Sequence, residues 1–183
     1  YKRQRLHYAP RYCQAFWDWL SAGHRAGVFF SIDKVKKELL DGDDDDPLNA
    51  WANDLGHENF FQSSLSSLSL WPKLSKITQD HQCKPAARSK FLNAEKADAW
   101  LISHAAYHGN FVIITNEQSA PLSQSEIKLP DAATWLNVKT ANLFDLLQLH
   151  AGHNFAPRFM TNATNAINTI ASMATPATHN CTI

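Results

Sequence analysis

Two acidic residues, Asp98 and Glu117, lie near the two ends of a segment whose local pattern is unusually clear. The stretch 93–117 predicts one helix followed by one strand, because Asn93 is a capping residue, good helix formers follow it, and Gly109 is placed for a left-handed stop. The run FVIIT after the glycine is apolar and β-branched, as in a strand buried in a parallel sheet.

The lengths of this helix and strand predict that the two carboxylates lie at one edge. From Asp98 to Gly109 the helix rises roughly 16 Å, at about 1.5 Å per residue. The strand returns roughly 20 Å, at about 3.3 Å per residue. Since these lengths nearly cancel, we expect both acids beyond the carboxyl ends of the strands, where open α/β sheets bind ligands. Two carboxylates at such an edge predict a site for a hard metal ion.

Composition restricts the class of protein. With 183 residues and 44% hydrophobic side chains, the chain is long enough for one domain with a substantial core. The 17 basic and 17 acidic residues balance, which argues against a bulk polyanion binder but leaves local basic patches open. Three widely spaced cysteines without a CxxC motif favour a reducing, cytoplasmic compartment. The sequence shows no signal peptide and no apolar run long enough to span a membrane.

The first third of the chain predicts a basic arm, a helix and a strand–helix pair. Residues 2–12 interleave basic and aromatic side chains, which fits either contact with nucleic acid or a solvated arm. A helix is expected from residue 11 to about residue 26, with a stop at Gly27 and a buried stripe of Phe16, Trp17 and Leu20. Residues 28–30 predict a strand, and Ser31 is expected to cap the next helix.

Judged from the residues alone, two acidic features in and after that helix are expected to lie on the protein surface. Glu38 flanks the predicted buried stripe of the helix, and its spacing favours a surface position. The run of aspartates at 43–46 lacks the alternating ligands, central glycine and terminal glutamate of a calcium loop, so it predicts a solvated turn.

The middle of the chain predicts a helical insertion and a connector. Residues 47–77 are expected to form a helical insertion, in which Pro72 stops the second helical stretch. Leu65, Leu68 and Trp71 are expected to form its packing stripe. Residues 78–92 read as a polar connector.

The last third predicts a loop, two short helices, a strand and a tail. After a loop at 118–129, Pro130 starts a short helix in which Asp131 is either a cap or a further acid facing the site. A strand at 138–141 leads to a helix capped by Asn142. Residues 160–183 are rich in Asn, Thr, Ala and Ser and predict a flexible tail.

His104 and His108 suggest a different chemistry. Their i, i+4 spacing on the predicted helix could hold zinc from one face. Ala105 stands where the metalloprotease motif has its general-base Glu, so two helical surface or half-buried histidines are the better interpretation.

Six short motifs in order give the chain a resemblance to a known family. They are CQAFWDWL, KKELLDGDD, DAWLISHA, VIITNE, KLPDAA and NLFDLL, within roughly residues 8–155. Together they resemble the PIN domain, the nuclease fold of VapC-type toxins, and more closely an uncharacterised PIN-like family of bacterial and archaeal proteins. The resemblance implies an α/β fold, a three-layer α/β/α sandwich around a short parallel sheet, spanning residues 1–159 with the insertion at about 47–77.

The resemblance also implies an activity and a set of residues. It implies a Mg²⁺- or Mn²⁺-dependent endoribonuclease, the toxin of a toxin–antitoxin pair, in which a metal-bound water attacks a phosphodiester. It moves Glu38 from the surface into an acidic cluster with Asp98 and Glu117, as catalytic residues and metal ligands, with Asp131 as a further ligand. Thr115 and Asn116 are expected to support the turn that presents Glu117. The basic residues expected to guide RNA are Lys2, Arg3, Arg5, Arg11, Lys90 and Lys96.

The chain departs from the family pattern at its start. PIN domains open with a central strand that ends in an acid, whereas this chain begins after that point. We therefore expect one strand and one acid to be missing, and the chain as written to be weak or inactive as a nuclease. The alternative is a catalytically dead module that binds a protein partner through an exposed sheet edge and an aromatic helix surface. The resemblance implies that this partner is an antitoxin. A homodimer is a further partner that the resemblance implies.

Overall fold

The computed structural model describes residues 12–41, 47–54 and 59–159. Three predictions lie outside the described residues: the RNA-binding role of Lys2, Arg3, Arg5 and Arg11, the acidic turn at 43–46, and the tail at 160–183.

Helices dominate the described residues, and the strands are short. In chain order the elements are α1 (Gln14–Arg25), β1 (Ser31–Ile32), α2 (Asp33–Leu40), α3 (Pro47–Asp54), β2 (Phe61–Gln62), a 3₁₀ helix (Ser64–Leu70), α4 (Trp71–Asp80), α5 (Pro85–Phe91), α6 (Ala97–His108), β3 (Val112–Ile114), α7 (Leu129–Thr134), β4 (Lys139–Ala141), α8 (Leu143–His150) and a second 3₁₀ turn (His153–Phe155).

The strands form two parallel pairs. β1 pairs with β2, and β3 pairs with β4 in the register Val112 to Lys139. Helix α7 connects β3 to β4, so this pair is a βαβ unit, as expected for parallel neighbours. The chain is therefore α/β, as predicted.

The first predicted strand is displaced. The structure has no strand at 28–30, because Val28 and Phe29 both donate their backbone N–H to the carbonyl of Gly23 at the end of α1. Strand pairing starts only at Ser31, whose N–H reaches the carbonyl of Phe60 at 2.7 Å. Ser31 consequently lies in β1 and does not cap α2, so both of these predictions were wrong.

The unit α6–β3 has the predicted end but a later start. Gly109 adopts the left-handed conformation with φ 75°, which ends α6 as expected. Asn93 does not cap the helix, since its side chain accepts the N–H of Glu95 at 2.9 Å and closes a separate turn. The helix begins at Ala97, and the carboxylate of Glu38 from α2 takes the place of a local cap.

The region 47–92 corrects three predictions. Pro72 lies in the first turn of α4, where its missing N–H is tolerated, and so it begins a helix instead of ending one. Residues 78–92 are not a connector, because they contain the end of α4 and the whole of α5. The 3₁₀ helix turns Leu65 and Leu68 to solvent, with 68% and 53% exposed, so the predicted packing stripe is wrong for both leucines, whereas its third member, Trp71, packs against the larger core cluster.

The apolar interior of the described residues has two clusters. The larger surrounds α6 and α7 and includes Leu74, Ile102, Ile113 and Ala132. The smaller joins α1 to α8 through Phe16, Trp19 and Leu146. Trp17 and Leu20 were predicted to be core residues with Phe16, but the structure leaves both only partly buried and buries Trp19. Among the described residues, the helices are all too short or too polar to cross a membrane.

Candidate acidic site

Asp98 is the centre of a negatively charged region at the start of α6. It lies in the first turn of the helix, and its side chain keeps contact with solvent. The pKa of Asp98 is raised from its ordinary value, first because the surrounding protein partly removes water from the carboxylate, and then because the charges of Glu117 and Glu38 repel it. The three carboxylates come from α2, from α6 and from the turn after β3, and the fold brings Glu38 and Glu117 within electrostatic range of Asp98.

Glu38 reaches this region from α2. Its Oε1 accepts the backbone N–H of Ala97 at 3.1 Å, which satisfies an unpaired donor at the first residue of α6. Lys96 lies 3.8 Å from the same oxygen, and both side chains are partly exposed. Glu38 therefore caps α6 from another helix and brings its negative charge next to Asp98.

Glu117 stands in the turn that follows β3. Its backbone N–H donates to the hydroxyl of Thr115 at 3.1 Å, and its Oε2 accepts the N–H of Leu129 at 2.7 Å. The neighbouring Asn116 accepts the N–H of Leu143 at 3.1 Å, at the start of α8. Thr115 and Asn116 thus hold the turn that carries Glu117.

Asp131 makes local contacts on the other side of this turn. Its Oδ2 accepts the N–H of Ala120 at 2.8 Å, and its Oδ1 accepts the hydroxyl of Ser119. The charges of Glu117, Glu38 and two lysines act on the ionisation of Asp98. The structure therefore places Glu38 and Glu117 within electrostatic range of Asp98, whereas both oxygens of Asp131 are bound by the loop.

Lysines line the acidic region. The charges of Lys96 and Lys90 oppose the rise in the pKa of Asp98, so both predicted RNA-binding lysines of the described chain lie in its surroundings. Lys90 also pairs with Glu126 at 3.3 Å.

Lys128 is a residue that the sequence analysis missed. Its ammonium lies 3.2 Å from Glu117 and 2.5 Å from Glu126, and only 25% of its side chain is exposed. These two carboxylates raise the pKa of Lys128. Lys128 lies directly before the short helix α7, at the sheet edge where Glu117 was expected. This position in the sequence could have identified it as part of the site.

The donor chemistry of the three acids suits a hard cation, since Mg²⁺ and Mn²⁺ prefer carboxylate oxygens and keep several waters. In the described part of the chain, no three His, Cys, Asp or Glu side chains already stand close enough to share a metal ion. An ion between these acids would therefore use bound water for part of its coordination.

His104 and His108 make a packing contact on α6. The rings lie 4.5 Å apart, and Nε2 of the buried His104 is 2.9 Å from the side-chain oxygen of Gln62. Burial and, next, the charge of His108 lower the pKa of His104. His104 is thus a core residue, more buried than expected, and His108 is exposed.

The family comparison covers the whole acidic region. Residues 1–154 match the model of a family described as a domain of unknown function (DUF4411), a span that contains Glu38, Asp98, Glu117 and Asp131. No curated protein and no solved structure matches the chain.

Proposed function

The chain belongs to the DUF4411 family, and we propose that it is a metal-dependent endoribonuclease of the PIN-like type. One observation carries the proposal: Glu38 of α2 and Glu117 of the turn after β3 lie near enough to Asp98 of α6 that, after partial burial, their charges are the next causes that raise its pKa. Such repulsion is unfavourable in the free protein and would be relieved by a bound cation, and perturbed carboxylates of this kind cluster at functional sites.

The proposed fold is the three-layer PIN-like sandwich. The βαβ unit of β3, α7 and β4 supports it, because parallel strands joined through a helix are the repeating element of such sandwiches. The position of Glu117 also fits this fold, because the residue comes just after the carboxyl end of β3.

The proposed roles follow from charge and position. Glu38, Asp98 and Glu117 would hold Mg²⁺ or Mn²⁺, in part through water. The bound ion would supply a water of lowered pKa and neutralise charge on the phosphoryl oxygens. Lys90 and Lys96 would attract the RNA phosphates to this edge.

The test is the Asp98→Asn variant, which keeps the side-chain shape and removes the central charge. We expect Mn²⁺ binding, measured by titration calorimetry, to weaken at least about 10-fold. RNA cleavage should fall by on the order of 100-fold or more. Cleavage is measured with Mg²⁺ and with EDTA.

Asp18→Asn is the matched control. Asp18 is an acid on α1 that accepts a hydrogen bond from Gln14, and we expect its replacement to leave Mn²⁺ affinity unchanged. Circular dichroism checks that both variants are folded. Wild-type Mn²⁺ affinity in Asp98→Asn would exclude this residue as a ligand.

A second candidate function is a protein-binding module whose partner is an antitoxin or a second copy of the chain. Two exposed leucines favour it, because Leu65 and Leu68 stand on one face of the 3₁₀ helix with most of their surface in solvent. Paired Leu65→Ser and Leu68→Ser replacements should abolish partner binding if this is the function. They should leave RNA cleavage unaffected if the protein is a nuclease.

A further inference from the structure

Two segments on either side of the loop after β3 hold each other through their acidic side chains. Glu117, at the start of the loop, accepts the backbone N–H of Leu129 at 2.7 Å. In the opposite direction, Asp131 of α7 accepts the N–H of Ala120 at 2.8 Å and the hydroxyl of Ser119. We call this pair of contacts the carboxylate clasp.

The clasp fixes Glu117 to a rigid support. Helix α7 is anchored in the larger core cluster by Leu129, Ala132 and Ala133, which are 5%, 0% and 0% exposed. Hydrogen bonds from neutral donors to carboxylates are stronger than those between neutral groups. Because Asp131 ties the chain two and three residues after Glu117 to this helix, the backbone that carries Glu117 has little freedom to move away.

We propose that Asp131 is a positioning residue that holds Glu117 at the acidic site, and that it is not itself a metal ligand. This inference rests on the proposed function, since it assumes that Glu117 contributes to metal binding. The geometry of its carboxylate supports it: Oδ1 accepts the hydroxyl of Ser119 and Oδ2 accepts the N–H of Ala120, so both oxygens of Asp131 are engaged by the loop.

Replacement of Asp131 by Asn and by Ala separates the two roles. An asparagine amide can accept the N–H of Ala120 through its oxygen and donate to the hydroxyl of Ser119 through its nitrogen, so it keeps the clasp without the charge. We expect Asp131→Asn to bind Mn²⁺ within about threefold of the wild type, and Asp131→Ala to bind about 10-fold more weakly, as for other residues that orient a ligand. Titration calorimetry with Mn²⁺ alone gives both values.

A double-mutant cycle with Ser119→Ala provides the second readout. If Asp131 acts through the loop, the effects of Ser119→Ala and Asp131→Ala on Mn²⁺ affinity are not additive, because both remove the same contact. Hydrogen exchange of the peptide covering residues 117–120 should also be faster in Asp131→Ala than in Asp131→Asn. The control is Asp18→Ala, which removes an acid and its hydrogen bond from α1.

The outcomes distinguish this inference from the function on which it rests. If the wild-type protein binds Mn²⁺ and both Asp131 variants lose affinity equally, Asp131 is a ligand and only this inference is overturned. If the wild-type protein binds no Mn²⁺, the proposed function is overturned and this inference with it.

Discussion

Several opposing effects act on the carboxylate of Asp98, and the direction of its pKa shift shows which of them are larger. A carboxylate in the first turn of a helix is normally stabilised by the helix dipole, and two nearby lysines also favour its charge. The pKa of Asp98 is nevertheless raised, so partial burial and the repulsion of two acids outweigh those attractions. The charged form of this residue therefore costs the folded protein stability at neutral pH.

Removing that charge should stabilise the protein while it impairs the site. In EDTA at pH 7, we expect Asp98→Asn to raise Tm by about 1–3 °C, a modest change because the side chain is in contact with solvent. Added Mn²⁺ should raise the Tm of the wild type more than that of the variant, since it relieves the repulsion. Differential scanning calorimetry measures both changes.

Asp145→Ala is the comparison, because Asp145 is also an acid at the start of a helix but belongs to the capping box of α8. Its loss should lower stability by about 1 kcal/mol. A fall in Tm for both variants would mean that Asp98, like Asp145, is a purely structural cap.

At the scale of elements, the 3₁₀ helix buries two of its serines and exposes two of its leucines, the opposite of what its sequence suggests. Residues three apart share a face of a 3₁₀ helix, so Ser64 lies above Ser67 and Leu65 above Leu68. The face of Ser64 and Ser67 is fully buried, and the hydroxyl of Ser67 donates to the carbonyl of Ser64 at 2.7 Å. This helix packs closely against α6, and small side chains permit that approach.

Replacements on the two faces of this helix should differ sharply in stability. Ser67→Leu inserts a large side chain where there is no room, and we expect it to lower the free energy of unfolding by about 1–3 kcal/mol. Leu68→Ser changes an exposed position and should remain within about 0.5 kcal/mol of the wild type. Urea unfolding followed by fluorescence measures both, and equal effects would contradict the observed orientation.

At the scale of the whole molecule, two buried residues are histidines whose charged form is disfavoured. His104 lies on α6 and His150 at the end of α8, and both are almost fully buried. Burial is the main cause that lowers the pKa of each, and for His150 the backbone of Arg158 opposes the effect only in part. Neither ring nitrogen of His150 forms a hydrogen bond of normal geometry within the described residues.

Stability should therefore fall when the pH drops below the ordinary histidine pKa. The unfolded chain binds protons at about pH 6.5, whereas the folded chain binds them only at lower pH, so the contribution is fully present above pH 6.5. Below that value each histidine can cost up to about 1.4 kcal/mol per pH unit until its folded pKa is reached. Tm measured from pH 8 to pH 5 should be level and then decline.

His150→Phe should reduce this decline, because a phenylalanine ring can take the place of the imidazole beside Phe29 and Phe159 without a group to protonate. The exposed His153→Phe is the matched control and should leave the pH dependence unchanged. A decline of the same size in His150→Phe would show that other groups cause it.

Several features could be predicted from the sequence because they depend on neighbours along the chain. The left-handed stop at Gly109, the cap at Asn142 and the strand after α6 follow from local backbone preferences. The proximity of Asp98 and Glu117 also follows from the sequence, because the rise of a helix and of a strand per residue are constants.

Tertiary packing alone decided which distant groups complete these elements. Glu38 caps α6 from a position 59 residues away, and Lys128 joins Glu117 only because α7 docks against the loop. The buried face of the 3₁₀ helix was also decided by α6, against the usual preference for leucine in a core. Local sequence determines backbone conformation and spacing, whereas contacts between distant segments are set only when the interior closes around them.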